Sequence, residues 1–283
     1  MCLEDDFCDI IKKSRHGQDL SLAVVAQHSH LSRNDLEALE KGVRLPNTDE
    51  INALSQVLSL RAQPLTSIVI DGWTPHAAPH WISQDGLVTT VLGDIGGYEV
   101  KGYLLSDLMT RESLMIDTGY NAKHMLETLH VHQLNLKGIC LTHGHTDHAG
   151  GLDTILERWP VPVYIGKDDL DLLPWKPSRA LLTFPHNKQK ISIGSRTIEC
   201  LATPGHTPGG LCFHLNNNRQ SLCFVGDTLF AGSIGRSNPC SLYPDHLASV
   251  RNIVRSLEND TVLLPGHGPS TTVQEEQQYN PFA

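Results

Sequence analysis

One stretch of ten residues, Thr142–Gly151 with the sequence THGHTDHAGG, constrains this chain more than any other. Three histidines and one aspartate, His143, His145, Asp147 and His148, fall within six positions, directly after the apolar run Ile139, Cys140, Leu141. An apolar run that stops at a polar, Gly-containing loop predicts a buried strand whose tip delivers the side chains of the loop. Four ligand-type groups at one strand end point to a metal. Side chains two apart in a loop can face the same way, so His143 and His145 suit one ion while Asp147 and His148 turn toward a second.

The loop cannot complete such sites alone. Zinc-like cations take imidazole nitrogen and carboxylate oxygen in roughly tetrahedral sets, and structural sites close with four protein ligands. Three candidates lie downstream, each at the end of an apolar run and flanked by Gly or Pro: His206 in TPGHTPGG, Asp227 in FVGDTLF and His267 in LLPGHGP. Five His and two Asp suffice for two ions with an open position. The chain holds 16 histidines, and the others, His16, His76, His214 and His246 among them, sit in no comparable pattern. They read as solvated or hydrogen-bonded residues.

This set resembles the motif of the metallo-β-lactamase fold hydrolases, HxHxDH followed by distant His, Asp and His, from about Trp81 to the C-terminus. The resemblance implies that His143, His145 and His206 hold one metal, that Asp147, His148 and His267 hold the other, and that Asp227 bridges them. It also implies a catalytic part for Asp147 and Asp227, and an α/β fold, the four-layer αβ/βα sandwich, with the site at one edge of two packed sheets. Two divalent ions follow, zinc first, with iron and manganese compatible with the same ligands.

The run GDTLFAGSIGR, Gly226 to Arg236, together with TPGHTPGG and the ending LLPGHGPSTTVQEEQQYNPF, resembles the glyoxalase II branch in its short form, without the extra C-terminal helical domain. That branch hydrolyses the thioester S-D-lactoylglutathione, so the resemblance implies a small-molecule thioester substrate. The chain departs from the branch at Asn238, where GRxD is usual, and Arg236 reads equally as a holder of a substrate carboxylate or a brace of its loop. Persulfide dioxygenase-like proteins share the motif but use one iron on two His and one Asp, here His143, His206 and Asp227. Lactonases resemble HxHxDHAGG too. No GxSxG elbow, Walker loop or dinucleotide fingerprint competes.

With 283 residues, 40% apolar and 19% charged, the chain has the composition of a soluble globular protein with one large and one small domain. No 18-residue apolar run and no signal-type N-terminus occur, so a cytoplasmic protein with no membrane partner is expected. Seven cysteines without a CxxC pair read as reduced structural thiols.

Residues 1–62 are expected to form a small all-α helical domain, 63–80 a Pro-containing linker, and 81–283 the hydrolase domain. Leu20, Leu22, Val25 and Ala26 suit one amphipathic helix, Leu36 and Leu39 a second opened by Ser32, and Ile51, Leu54 and Leu58 a third opened at Thr48. The layout resembles the helix-turn-helix domain of Cro/C1-type (XRE-like) regulators, including LExGxRxP at Leu39, Glu40, Gly42, Arg44 and Pro46. It implies Arg33, Asn34 and Glu37 at base edges and Lys41 and Arg44 at phosphates. The charge works against DNA. The whole chain carries −9, and Met1 to Ile70 hold seven basic against ten acidic residues. Packing on the catalytic domain, or a homodimer contact, is the favoured reading of this unit, and a metabolite-sensing DNA-binding regulator the competing one. From Gly86 onward short strands alternate with helices, including strands over 87–92, 99–105, 113–116, 136–141, 190–193, 196–202, 210–215, 221–225 and 261–264.

Overall fold

The computed structural model describes residues 2–83, 87–216 and 221–283. Gly86, where the strand texture begins, lies outside the described residues. Five helices come first: α1 (Phe7–Gly17), α2 (Leu22–His28), α3 (Arg33–Glu40), α4 (Thr48–Val57) and α5 (Ala62–Val69). Ser32 caps α3 as its sequence predicts, accepting from the Asp35 N–H at 3.0 Å. Asn47, one residue ahead of Thr48, caps α4 in a reciprocal pair with Glu50. α1 has no counterpart in the sequence reading, because its apolar stripe is only Phe7, Ile10 and Ile11, too short to register as periodic.

The 63–80 linker is corrected in its first half, where α5 stands. Pro64 lies in the first turn of that helix, where an N–H has no intrahelical acceptor to lose. Only the residues after Ile70 run irregularly.

Two six-stranded sheets follow. The first runs in chain order through β1 (Val88–Ile95), β2 (Tyr98–Asp107), β3 (Glu112–Ile116), β4 (Asn135–Cys140), β5 (Val163–Tyr164) and β6 (Leu182–Thr183). Strands β1 to β3 are an antiparallel meander and β3 to β6 are parallel. The second comprises β7 (Lys190–Ile193), β8 (Arg196–Ala202), β9 (Leu211–Asn216), β10 (Ser221–Gly226), β11 (Val262–Pro265) and β12 (Thr271–Thr272), with β10 and β11 parallel among antiparallel neighbours. Helices α6 (Ala122–Val131), α7 (Thr146–Ala149), α8 (Leu152–Arg158) and α9 (Tyr243–Ser256) connect strands, and α10 (Val273–Tyr279) follows the last strand.

Side-chain alternation decides where the core lies. Tyr103, Leu105, Leu114, Ile116 and Cys140 of the first sheet turn inward onto Cys200, Phe213, Leu215 and Phe224 of the second. Their neighbours Leu104, Met115 and Ile139 turn outward, under Met125 and Leu129 of α6 and Ile155 of α8. On the far side Cys212, Cys223, Val225 and Leu263 lie under Val250 and Ile253 of α9 and Val273 of α10. The result is two sheets flanked by helices.

The five N-terminal helices do not stand apart from this sandwich. Phe7, Ile10, Ile11, Leu36, Leu54 and Leu65 belong to the same apolar cluster as α9, α10 and the outer face of the second sheet. Polar ties cross the seam: Ser233 donates to Asp5 at 2.6 Å, Lys13 to the Ile234 carbonyl at 2.8 Å, and the Arg61 N–H to the Pro281 carbonyl at 2.9 Å. Trp73 stacks on Tyr279 with ring centroids 4.6 Å apart. A separate helical domain is therefore not what this chain displays.

The sheets are clasped at the end away from the ligand loops. Asp107, at the tip of β2, accepts from the Ser195 N–H at 2.7 Å and hydroxyl at 2.6 Å, in the β7–β8 turn. These bonds hold its carboxyl down to about 2. The stability they add is present above the unfolded-state value of about 3.9 and is lost as pH falls through the folded one. Asp107→Ala should cost about 2 kcal/mol at pH 7. Urea unfolding at pH 7 and pH 3 measures this, and the deficit should shrink at pH 3.

Candidate metal centre

Strand β4 ends at Cys140, and the chain turns through Thr142 into the ligand loop. His143 is buried, His145 precedes α7, and Asp147 and His148 project from that single helical turn. His206 lies between β8 and β9, Asp227 follows β10, and His267 follows β11. All seven come together at one edge of the sandwich. Ligand atoms of His143, His145 and His206 lie within 4.8 Å of one another, as do those of His143, Asp147 and His148, and those of His148, Asp227 and His267.

The spacings suit coordination. Zinc-type bonds of about 2.0–2.1 Å in a tetrahedron place ligand atoms about 3.3 Å apart. His267 Nε2 is 3.2 Å from Asp147 Oδ2, His148 Nε2 is 3.3 Å from Asp227 Oδ1, and His206 Nε2 is 3.5 Å from Asp227 Oδ2. Three buried atoms, His143 Nε2, His148 Nε2 and Asp227 Oδ1, have no hydrogen-bond partner. Each orphaned polar atom would cost about 1–3 kcal/mol, so a cation is the fitting partner for this donor set.

The other imidazole nitrogens are engaged in a way that turns each Nε2 lone pair to the centre. His206 Nδ1 donates to the Arg236 carbonyl at 2.7 Å, His267 Nδ1 to the Glu99 carbonyl at 2.6 Å, and His148 Nδ1 to Asp117 at 2.8 Å. His143 Nδ1 meets the Thr142 hydroxyl at 3.0 Å, which itself donates to Asp117 at 2.7 Å. Such partners fix tautomer and ring orientation. His145 is the exception, with its Nδ1 facing His206 Nε2 at 3.0 Å.

Electrostatics agree with ligation. Burial drives His143 well below the usual histidine range, and drives His206 down to about 4, so both are neutral at pH 7 with lone pairs available. Burial works against charge on Asp227, yet His148 and His267 beside it hold its carboxyl well below the usual range. It is an anion poised among imidazoles. Gly266 must lack a side chain, since a Cβ there would come within 2.3 Å of His148 Cε1 and 2.6 Å of Asp227 Oδ1.

Three buried residues outside the seven hold the ligand loops. Asp117 sits where β3 ends beside β4, and also accepts from the Thr142 N–H at 2.7 Å. Its signal in the sequence is an aspartate just past a strand that runs parallel to the ligand-bearing one. Asp169 accepts from the Gly144 N–H at 3.1 Å, the Thr207 hydroxyl at 2.7 Å and the Gly209 N–H at 2.6 Å, tying the His143–His145 loop to the His206 loop. His246, read from the sequence as an ordinary histidine, is fully buried between the Ser237 hydroxyl at 3.0 Å and the Thr228 carbonyl at 2.8 Å. Neither Asp169 nor His246 has a local signal. In the Pro-rich stretch, Phe184 packs on the core under Arg179, while Trp175 is 43% exposed.

The family model for the metallo-beta-lactamase superfamily matches residues 108–267. A probable metallo-hydrolase, YqgX, of Bacillus subtilis is 30% identical over 205 residues, covering 66% of this chain and 94% of its own length. The hydroxyacylglutathione hydrolase GloC of Haemophilus influenzae is 30% identical over 188 residues, 61% of this chain and 87% of its own. The crystal structure of TTHA1623 in a di-iron-bound form is 28% identical with a TM-score of 0.59, covering 68% of this chain and all of that one. With this fold and a His/Asp centre suited to two metal ions, the chain belongs to the metallo-beta-lactamase superfamily and is a metallo-hydrolase of that class.

Asp117→Ala should weaken metal binding about 10- to 100-fold, because His148 and Thr142 lose the group that orients them. Competition with a chromophoric chelator measures it, and an unchanged affinity would leave Asp117 a merely structural residue.

Proposed function

We propose that this chain is a binuclear metal-dependent thioesterase acting on a hydroxyacylglutathione-like substrate, with zinc the expected metal. His143, His145 and His206 would hold one ion, Asp147, His148 and His267 the other, and Asp227 both. The observation that carries the reading is that the orphaned His143 Nε2, His148 Nε2 and Asp227 Oδ1 belong to overlapping clusters of ligand-type side chains. Divalent ions bound there supply water acidified to a pKa of about 7 and polarise a substrate carbonyl.

The protein's own share is to orient and to exclude water. Asp117, Thr142 and the Arg236 and Glu99 carbonyls hold the imidazoles in register. Asp147 is the more open carboxylate, with its Oδ2 3.2 Å from His267 Nε2. Arg236 stands exposed beside the His206 loop, where it suits a substrate carboxylate. The similarity to GloC supports the substrate class.

DNA reading by the helical unit finds less support. Arg33 pairs with Glu37 at 3.1 Å, Lys41 with the same glutamate at 3.6 Å, and Arg44 with Glu50 at 2.6 Å. Cations already paired with nearby carboxylates contribute little counterion release. Among the described residues no helix is long and apolar enough to cross a membrane.

The test is S-D-lactoylglutathione hydrolysis by the purified chain alongside elemental analysis. About two metals per chain, with turnover abolished by chelation and restored by zinc, supports the proposal. One iron per chain and oxygen consumption with glutathione persulfide would replace it with a dioxygenase on His143, His206 and Asp227.

A further inference from the structure

The N-terminal segment and α1 touch the loops that flank His267. Glu4, ahead of α1, packs on Gly268, the residue after this ligand: a Cβ on Gly268 would come within 2.8 Å of Glu4 Cβ and 3.1 Å of its amide nitrogen. Lys13 of α1 donates to Asp5 and, at 2.8 Å, to the Ile234 carbonyl. Its ammonium also lies over the Phe230 ring, 4.9 Å from the centroid. Phe230 in turn stands perpendicular to the His267 imidazole, at 87° with ring centroids 5.9 Å apart. Contacts thus run without a gap from the helical unit, through Lys13 and Phe230, to a candidate metal ligand.

The participants are buried and held. Phe230 is 5% and His267 7% exposed. Phe230 and Ser233 exchange backbone hydrogen bonds at 3.1 and 2.9 Å, closing a tight turn. In that turn the Gly232 N–H donates to Glu276 at 3.1 Å and the Ser233 hydroxyl to Asp5 at 2.6 Å, so Asp5 holds both the turn and Lys13. Cohesion does not require this ion pair. The seam around it is apolar, and burying two charges incurs a desolvation cost that apolar residues would avoid. What the lysine alone supplies is a cation on the Phe230 ring and a bond to the adjoining loop. His267 has one tie directed away from the centre, from Nδ1 to the Glu99 carbonyl at 2.6 Å. A single hydrogen bond lets an imidazole rock about its axis, and the perpendicular Phe230 ring opposes that motion.

We propose that Lys13 and Phe230 are positioning residues for His267, through which the helical unit sets the affinity of the ion held by Asp147, His148 and His267. The ion held by His143, His145 and His206 is outside their reach. This rests on the two-ion reading of the centre.

The experiment titrates the full, metal-free chain with zinc against a chromophoric chelator, resolving two binding steps, and His267→Ala identifies the step that belongs to this ligand. Lys13→Met should weaken that step about tenfold and leave the other unchanged, and Lys13→Arg, which keeps the cation, should recover most of the loss. Phe230→Leu should weaken the same step, and adding Lys13→Met to it should cost little more, because the lysine acts through the ring. Thermal melts of the metal-free variants separate positioning from damage to the fold. An unchanged His267 step in Lys13→Met, equal losses at both steps, or additive losses in the double variant would overturn the proposal. If Lys13→Met does not fold, Phe230→Leu decides, and an unchanged step there overturns it. A wild-type chain with a single step that His267→Ala leaves intact would sink the two-ion reading and the positioning role together, whereas two steps insensitive to Lys13→Met sink the positioning role alone.

Discussion

An Asp227→Ala chain is expected to carry one metal ion or fewer where the wild type carries two, and to hydrolyse its thioester at least about 10³-fold more slowly. Among the described residues Asp227 is the one carboxylate with an oxygen facing each imidazole group: Oδ1 toward His148 at 3.3 Å, Oδ2 toward His206 at 3.5 Å and His267 at 3.8 Å. Its removal leaves His148 and His206 without the anion between them. The fold should survive, because the carboxylate makes no hydrogen bond that ties strands together. Elemental analysis and initial rates on the same preparation decide the matter. Two retained metals with undiminished turnover would mean that Asp227 neither bridges nor serves the reaction.

Deleting residues 1–62 is expected to yield a chain that neither melts cooperatively nor stays soluble. Phe7, Ile10, Ile11, Leu36, Leu54 and Leu58 are almost completely buried in the cluster that also contains Leu229, Ile234, Tyr243 and Val250. Re-exposing the partners of about five such side chains costs about 10 kcal/mol, comparable with the net stability of a domain. The deletion also strands the Ser233 hydroxyl and the Ile234 carbonyl, which now meet Asp5 and Lys13. Scanning calorimetry and dye binding to exposed apolar surface read the outcome. A soluble remainder with a sharp melt and two bound metals would make the helices a removable module.

The motif loop was legible because metal chemistry demands particular side chains at close spacing. His143, His145, Asp147 and His148 fall on one loop, and His206, Asp227 and His267 each follow a strand, so apolar runs that stop at Gly- and Pro-flanked ligands pointed to the same sheet edge. Most strands were legible as well, since each is a short apolar run between turn residues. The short β6 and the helix α5 were not, because two paired residues and one turn-opening proline leave no periodic trace.

The sequence by itself determined the candidate ligand types, their order and most of the strands, because these depend on residue identity and on local apolar runs, while the two-sheet architecture was implied by the family resemblance. Only the tertiary structure decided that Asp169 braces two ligand loops and that His246 is a buried prop. It also decided that the N-terminal helices share the hydrolase core. Those relations join residues from 9 to more than 200 positions apart, and such contacts are chosen by whole-chain packing, in which apolar faces find one another irrespective of distance along the chain.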